Sequence, residues 1–456
     1  MQKPVEKNKE YIVDIIDYGA EGEGIAKIEN YTIFIPGALK GEKVTILIVK
    51  TLTSYAYGKL LKVLEQGKHR QQSDCDTFGR CGGCDLRHIN YEETLEMKQQ
   101  KVQNLVNKTL TKKIQVEKTL GMGFPYYYRN KAQYPFGKNK EGIPVTGIYA
   151  KRSHQIIPIK ECEIQSVLSQ RIVSFILDKI KEYEIPVYDE TTQKGIVRHV
   201  VVRIGKNSGE VMCTIVVNQE EVPKEKQLVQ ALRKEFPMIT TIVKNINHKN
   251  TNVIMGDKNI TLYGNGYIFD QLGNYTFKIS PLSFYQVNPV QAEALYYMAM
   301  EMAELMEKKE QVAFDLYCGI GTISLFLSPY FEKVYGIEII PEAIADAKEN
   351  AILNQVTNTE FLVGDVEFAL EELIEKRKIK ADIVVVDPPR KGLDDKTITN
   401  LIKIQPRKII YISCNPATMV RDLAKLEEKY IIKKMRPVDM FPYTSHVECV
   451  TMLCLK

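Results

Sequence analysis

No apolar run in the 456-residue chain approaches the roughly 20 residues needed to cross a bilayer. The opening stretch MQKPVEKNKE is polar and charged, so it lacks the apolar core of a secretory signal. Internal repeats and low-complexity segments are also missing, which excludes solenoids and arrays. These absences lead to the expectation of a cytoplasmic protein with no membrane partner. In that reducing setting the nine cysteines are expected to be ligands, nucleophiles or packing rather than disulfides. With 44% hydrophobic and 26% charged residues, the composition is that of an ordinary folded chain. Its length suggests about three domains.

The net charge of +5 is small, but it is unevenly spread. Residues 98–160 hold 13 Lys or Arg against two acids, Glu117 and Glu141, a local net of +11 that leaves −6 for the remainder. A basic segment in a mildly acidic protein points to a surface that faces a polyanion. A lysine run alone is usually a solvated face. Here aromatics are set among the charges: Phe124-Pro125-Tyr126-Tyr127-Tyr128-Arg129-Asn130-Lys131, then Tyr134-Pro135-Phe136. Aromatic faces stack unpaired bases while Arg and Lys hold phosphates. Some of these tyrosines fit a core seam equally well.

Patterning divides the chain. Residues 10–64 read as short strands, near 11–17, 31–35 and 43–49, broken by Gly19-Ala20-Glu21-Gly22-Glu23-Gly24, Pro36-Gly37 and Lys40-Gly41, which suggests a small OB-like barrel. Residues 67–90 are rich in cysteine, glycine and polar residues. Residues 91–110 read as a helix with Leu95, Val102, Leu105, Val106 and Leu110 near one face. A mixed region follows to about 265, with strands expected at 196–204 and 211–217. From about 280 onward, strands alternate with helical stretches, which predicts an α/β fold with a doubly wound parallel sheet.

Within that last region, residues 312–321 form an apolar strand running into Gly319-Ile320-Gly321, and a helical stretch starts at Thr322. Glycines there let backbone approach a cofactor closely. Glu338 follows 17 residues after Gly321, at the end of a second strand, where an acid can accept from ribose hydroxyls. A third strand ends in Gly364-Asp365, with the acid placed for an adenine edge. A dinucleotide site would share most of this. Ser324 stands where the dinucleotide fingerprint has its third glycine, which favours S-adenosylmethionine. A fourth strand ends in Asp387-Pro388-Pro389-Arg390, and two prolines make a stiff loop. Methyltransferases acting on exocyclic amines follow such a loop with a stacking aromatic, and Arg390 is not one.

Carbon 5 of uracil is a poor nucleophile until a thiolate adds to carbon 6, and a base must afterwards remove the carbon 5 proton. Cys414, in Ser413-Cys414-Asn415-Pro416, ends an apolar strand over 408–413, the rim at which ligands bind in such sheets. Inert burial is the commoner fate of a cytosolic cysteine, and Cys213, Cys318, Cys449 and Cys454 read that way. Near the carboxyl terminus, His446, Glu448 and Val450 are expected on one face of an extended strand, with Glu448 the candidate base. Elsewhere, Cys75-x5-Cys81-x2-Cys84 lies in a glycine-rich loop and suggests a metal site, with Cys162 the natural fourth ligand; zinc and a four-iron cluster both accept four thiolates.

Five motifs occur together and in order: Ser283-Phe284-Tyr285-Gln286-Val287-Asn288, Asp315-Leu316-Tyr317-Cys318-Gly319, Asp387-Pro388-Pro389-Arg390, Ser413-Cys414-Asn415-Pro416 and His446-Val447-Glu448. The set resembles the RNA (uracil-C5-)-methyltransferase family of RumA/TrmA type. The resemblance implies Cys414 as the carbon 6 nucleophile and Glu448 as the proton-abstracting base. It implies Gln286, Tyr317, Glu338, Asp365 and Asp387 as contacts to S-adenosylmethionine, with Asp387 also near the uracil. Arg129, Asn130 and Lys131 match a family motif that contacts RNA. Cys75, Cys81, Cys84 and Cys162 match the ligands of a [4Fe-4S] cluster in the rRNA-directed members. Gly22-Glu23-Gly24-Ile25-Ala26 and Phe34-Ile35-Pro36-Gly37 resemble a TRAM domain.

The implied organisation is a TRAM-like barrel over 1–66, a central iron–sulfur and RNA-binding domain over 67–265, and a Rossmann-like class I methyltransferase domain over 266–456, with 91–119 packing on the catalytic domain. The accessory parts imply 23S rRNA as substrate, with tRNA as the alternative, and a monomer is expected. A non-catalytic RNA-binding factor is the competing reading; a pure binder has no need of Cys414 or Glu448.

Overall fold

The computed structural model describes residues 3–305 and 310–456. Its first sheet has six strands: Glu10–Asp14, Asp17–Tyr18, Gly24–Ile28, Tyr31–Ile35, Lys43–Thr51 and Tyr55–Glu65. Alternation turns Ile33, Ile35, Val44, Ile46 and Ile48 into one apolar core. The stretch expected as a single strand over 11–17 is broken at Ile15–Ile16. There the chain changes partner: Ile15 N–H donates to Glu42 O at 2.8 Å, and Ile16 N–H to Ile25 O at 2.8 Å. Glu10–Asp14 pairs with Lys43–Thr51, whereas Asp17–Tyr18 pairs with Gly24–Ile28, so this corner closes the sheet on itself.

The second sheet has seven strands in the spatial order Lys258–Tyr263, Ile239–Ile246, Val211–Val217, Val197–Ile204, Lys131–Lys138, Pro144–Tyr149 and Ile156–Pro158. Helices Val167–Glu182 and Glu225–Glu235 share its core, through Ile172, Val173, Ile176, Leu228 and Leu232.

The third sheet holds most of the motifs quoted above. Its order is Thr359–Val363, Phe331–Glu338, Glu310–Leu316, Ile383–Val386, Lys408–Ser413, Glu448–Leu455 and Tyr430–Val438. The first five strands are mutually parallel. Glu448–Leu455 departs from the expected all-parallel sheet, since it runs antiparallel to both neighbours. The nine residues between it and Tyr430–Val438 are too few for a crossover, which takes a dozen or more. Apolar cores lie on the two faces of this sheet.

Helix Tyr91–Thr109 belongs to one of those cores. Its Val102 and Val106, with Leu110 and Val116 just beyond, pack in one cluster with Leu423, Leu426 and Tyr430. The chain then runs along the sheet edge, where Glu117 N–H donates to Met435 O and Leu120 N–H to Pro437 O, both at 2.9 Å. Between these contacts Lys98, 2% exposed, forms an ion pair with Asp439, 0% exposed. Lys98 also donates to Phe441 O at 3.1 Å, and the Tyr91 hydroxyl donates to Asp439 Oδ2 at 2.7 Å.

Removing one partner of such a pair strands a charge in the interior. Lys98→Met is therefore expected to destabilise the protein by about 3–5 kcal/mol, read from urea unfolding. The double variant Lys98→Met/Asp439→Leu should recover much of that loss; a single-variant effect within measurement error would show that the pair is not isolated from water.

Candidate active site

The parallel strands deliver their carboxyl ends to one rim, and most of the residues singled out from the sequence sit there. Asp315 and Tyr317 flank the end of Glu310–Leu316, and Glu338 ends Phe331–Glu338. Asp365 follows Thr359–Val363, Asp387 follows Ile383–Val386, and Cys414 follows Lys408–Ser413. Glu448 reaches the same rim by the opposite route: its strand is antiparallel, so its first residue lies where the others end. Ser413 pairs with Cys449, which sets Glu448 beside Cys414. Residues 444–447 lie outside the strand, contrary to the expectation for His446, which stands exposed in the loop before it.

The turn after Glu310–Leu316 is a left-handed run: Tyr317, Gly319 and Gly321 have φ of +66°, +54° and +81°. A Cβ at Gly319 would meet open space, whereas one at Gly321 would press on Phe361 and Ala347 at 3.0 and 3.1 Å. Gly321 therefore serves helix packing, and Gly319 keeps the open side of the turn bare. Glu338 is held across from it, accepting from Gly319 N–H at 3.2 Å and Ile340 N–H at 3.1 Å. Ser324 donates to Asp315 Oδ2 at 2.6 Å, which explains a serine where a dinucleotide fingerprint has glycine. Asp315 Oδ1 is buried without a partner at the floor of this turn. Bare backbone, a ribose-ready carboxylate and an orphaned acid fit a nucleoside cofactor with a cationic centre. Asp365 is exposed and caps helix Val366–Glu371, its Oδ1 accepting from Glu367 N–H at 3.1 Å.

Gln286 comes from the loop before helix Pro289–Met302, and two parts of the protein hold that loop. Asn130 N–H donates to Val287 O at 2.8 Å, and its side-chain amide donates to Gln286 O at 3.0 Å. Arg203, fully enclosed, donates to Ser283 O at 2.9 Å. On the catalytic side, Ser283 Oγ donates to Asp346 at 2.7 Å, and Asn288 Nδ2 to Met440 O at 3.0 Å.

Acid groups crowd the rim. Burial first, and then the Asp387 charge, raises the Glu448 carboxyl to about 8 against the opposing pull of Arg390. Burial pushes Asp387 up to about 7. Cys414 is raised to about 11, by burial first and then by the charges of Glu448 and Asp387, with Arg390 again pulling down. Asp315 is raised to about 7 by burial, against its bond from Ser324. Sequence reading did not assign roles to Arg390 or Asp315; their places inside two of the quoted motifs were the only signal. The motif loops also brace one another: Asn415 Nδ2 donates to Arg390 O at 3.0 Å, and Asn415 Oδ1 caps helix Pro416–Leu426 by accepting from Ala417 N–H at 3.2 Å.

The aromatic segment splits as its burial dictates. Phe124 and Tyr127 are exposed, while Tyr128, Tyr134 and Phe136 are core. Asn130 is buried and engaged with the Gln286 loop. Lys131 and Arg203 lie directly opposite on paired strands. Burial, with Arg203 and Arg129 nearby, lowers the Lys131 ammonium to about 7. Among the described residues, no group of three or more His, Cys, Asp or Glu is drawn together as a site for a metal ion. Cys75, Cys81, Cys84 and Cys162 nevertheless line one cavity, together with Phe78, Arg87 and Ile164. No helix of the described residues is long and apolar enough to cross a membrane.

Residues 90–456 match the tRNA (Uracil-5-)-methyltransferase family, and residues 4–61 match the TRAM domain. A Clostridium tetani protein named an uncharacterized RNA methyltransferase is 45% identical over 451 residues, covering 99% of this chain and 97% of its own. A protein of the same description from Halalkalibacterium halodurans is 43% identical over 457 residues, covering 100% and 99%. The crystal structure of Pyrococcus abyssi tRNA (uracil-54, C5)-methyltransferase in complex with S-adenosyl-L-homocysteine is 27% identical, covers 97% of this chain and 99% of that one, and superposes with a TM-score of 0.76. With a TRAM domain and a match to the family over residues 90–456, the chain belongs to the tRNA (uracil-5-)-methyltransferase family of S-adenosylmethionine-dependent RNA methyltransferases.

Proposed function

We propose that the protein methylates carbon 5 of a specific uridine in 23S rRNA, with Cys414 as nucleophile and Glu448 as base. The observation that carries this reading is the juxtaposition of Cys414 and Glu448 through the Ser413–Cys449 pairing, on the rim that also holds Tyr317, Glu338 and Asp387. The Cys414 sulfur bonds to carbon 6, and the electron pair displaced from the ring double bond makes an enolate nucleophilic at carbon 5. S-adenosylmethionine supplies the methyl group there and, as a sulfonium, a positive charge that favours ionised Cys414 and Glu448. Glu448 takes the carbon 5 proton, the ring double bond re-forms, and the Cys414 thiolate leaves. Gln286, Tyr317, Glu338, Asp365 and Asp387 hold the methyl donor.

The target uridine must leave its stack to reach Cys414, so loop or single-stranded RNA suits the site. In this reading Arg129 and Lys131 meet phosphate and exposed Phe124 and Tyr127 meet bases, while Asn130 acts by holding the Gln286 loop. The barrel core and the central-sheet core, distinct from the core that residues 102–116 share with the third sheet, support the division into 1–66, 67–265 and 266–456, with 91–119 on that sheet. Cys75, Cys81, Cys84 and Cys162 hold a [4Fe-4S] cluster. What supports it is four thiols around one cavity and their match to the ligand pattern given above. The TRAM domain and the cluster together favour 23S rRNA. The second reading, tRNA, is favoured by what the Pyrococcus abyssi enzyme acts on.

Labelled S-adenosylmethionine, incubated with unmodified 23S rRNA and with unmodified tRNA, separates the two. Methyl incorporation at a uridine of 23S rRNA is expected; incorporation into tRNA alone would overturn the substrate assignment. Cys414→Ala should abolish turnover and retain S-adenosylmethionine binding, and full activity in that variant would refute the covalent route.

Glu448 also has a stability signature. Its native carboxyl is raised to about 8, whereas an unfolded glutamate titrates near 4.5. As pH rises from 4.5, the unfolded chain loses its proton first, so the native state is progressively destabilised until pH reaches about 8. Glutamine carries no such proton. Glu448→Gln should therefore stabilise the protein by a few kcal/mol at pH 8, on the order of 1.4 kcal/mol for each tenfold difference in proton affinity between the native and unfolded carboxyl, and by little at pH 5. Urea unfolding at the two pH values reads the difference; a gain independent of pH would show that Glu448 is not held protonated.

A further inference from the structure

The cysteine loop does more than present sulfur to a cavity. Cys84 is followed by Asp85, and Asp85 joins three separate parts of the chain. Asp85 N–H and Leu86 N–H both donate to Tyr443 O, at 2.9 and 3.0 Å. In return Asp85 Oδ2 accepts from Ser445 N–H and from Ser445 Oγ, each at 3.2 Å. Its other oxygen accepts from Lys151 Nζ at 2.7 Å, on the hairpin whose Tyr149 O receives Gly82 N–H at 2.9 Å. The Asp85 clasp thus closes a ring of hydrogen bonds around Tyr443–Ser445.

That segment needs holding. Tyr443 has φ of +62°, a left-handed conformation uncommon for a residue with a side chain. Its ring lies under the Arg87 guanidinium, 4.6 Å from centroid to Cζ, and its hydroxyl donates to the Tyr126 hydroxyl at 3.1 Å. Three residues beyond Ser445, Glu448 begins its strand. Residues 446–447 have no strand partner, so the chain enters Glu448 between two fixed points: the pairing of Glu448 with Val438 on one side and the tie at Ser445 on the other.

We propose that Asp85 is a positioning residue for Glu448: by clasping Tyr443 and Ser445 it couples the cysteine loop to proton removal from carbon 5. Cys414 is fixed independently, by its own strand and by the cap of helix Pro416–Leu426. Loss of the clasp should therefore impair elimination more than attack. The inference rests on Glu448 being the base.

A covalent readout separates the two steps. Full-length protein, purified anaerobically, is incubated with S-adenosylmethionine and the transcript, 23S rRNA or tRNA, that the methyl-transfer assay selects. Protein–RNA adducts are then resolved on denaturing gels. Glu448→Gln is the control, expected to accumulate the Cys414-linked adduct. Asp85→Ala and Ser445→Ala should accumulate the same adduct, with kcat down by about tenfold to 100-fold, as misplacement of a reacting group commonly gives. KM for RNA and iron content should match the parent. If Glu448→Gln traps no adduct, the assignment of the base fails, and this inference with it. If Glu448→Gln traps adduct while both clasp variants turn over like the parent, the positioning role is wrong. Loss of turnover without adduct, or with loss of iron, would also overturn it, because the clasp would then serve only the fold.

Discussion

The arrangement of this molecule depends on confining several acids where one cation faces two of them. Glu448 is buried, Asp387 and Cys414 are half-buried beside it, and Arg390 acts on both Cys414 and Glu448. Each of the three acids holds its proton more tightly than it would in water, because burial disfavours the charged form; neighbouring negative charge adds to this at Cys414 and Glu448. A cationic methyl donor relieves that cost. The same crowding makes Glu448 a liability for stability and an asset for chemistry, since a base with a value near 8 can both take and release a proton near neutral pH.

Much of the catalytic rim was legible in the sequence because parallel α/β sheets place strand ends together. Glu338, Asp365, Asp387 and Cys414 each follow or end an apolar run, and that was enough to bring them to one edge. Glu448 was reached for a different reason. Its strand is antiparallel, which alternation of strands and helices could not reveal, because connection length rather than composition decides direction. Period-two spacing puts His446 on that strand, but the strand begins only at Glu448, after the loop whose Tyr443 and Ser445 bond to Asp85. The barrel corner at Ile15–Ile16 was hidden likewise, since a change of hydrogen-bond partner leaves no mark on the apolar pattern.

The basic, aromatic segment shows where composition stops being informative. Its residues divide among core, loop support and exposed surface, with Tyr128, Asn130 and Phe124 as examples. Local sequence marks them all alike; what differs is the neighbour each one meets from the Gln286 loop and the carboxyl-terminal segment. Helix Tyr91–Thr109 and the Lys98–Asp439 pair are the counterpart, an early piece of chain built into the late domain.

The claim at the centre of this account is that the protein removes the proton of uridine carbon 5 in exchange for a methyl group. RNA carrying tritium at carbon 5 of its uridines measures this directly. One tritium is expected to be released to water for each methyl group incorporated, in step over the whole time course. Methyl incorporation without tritium release would place the new group on another atom and contradict it.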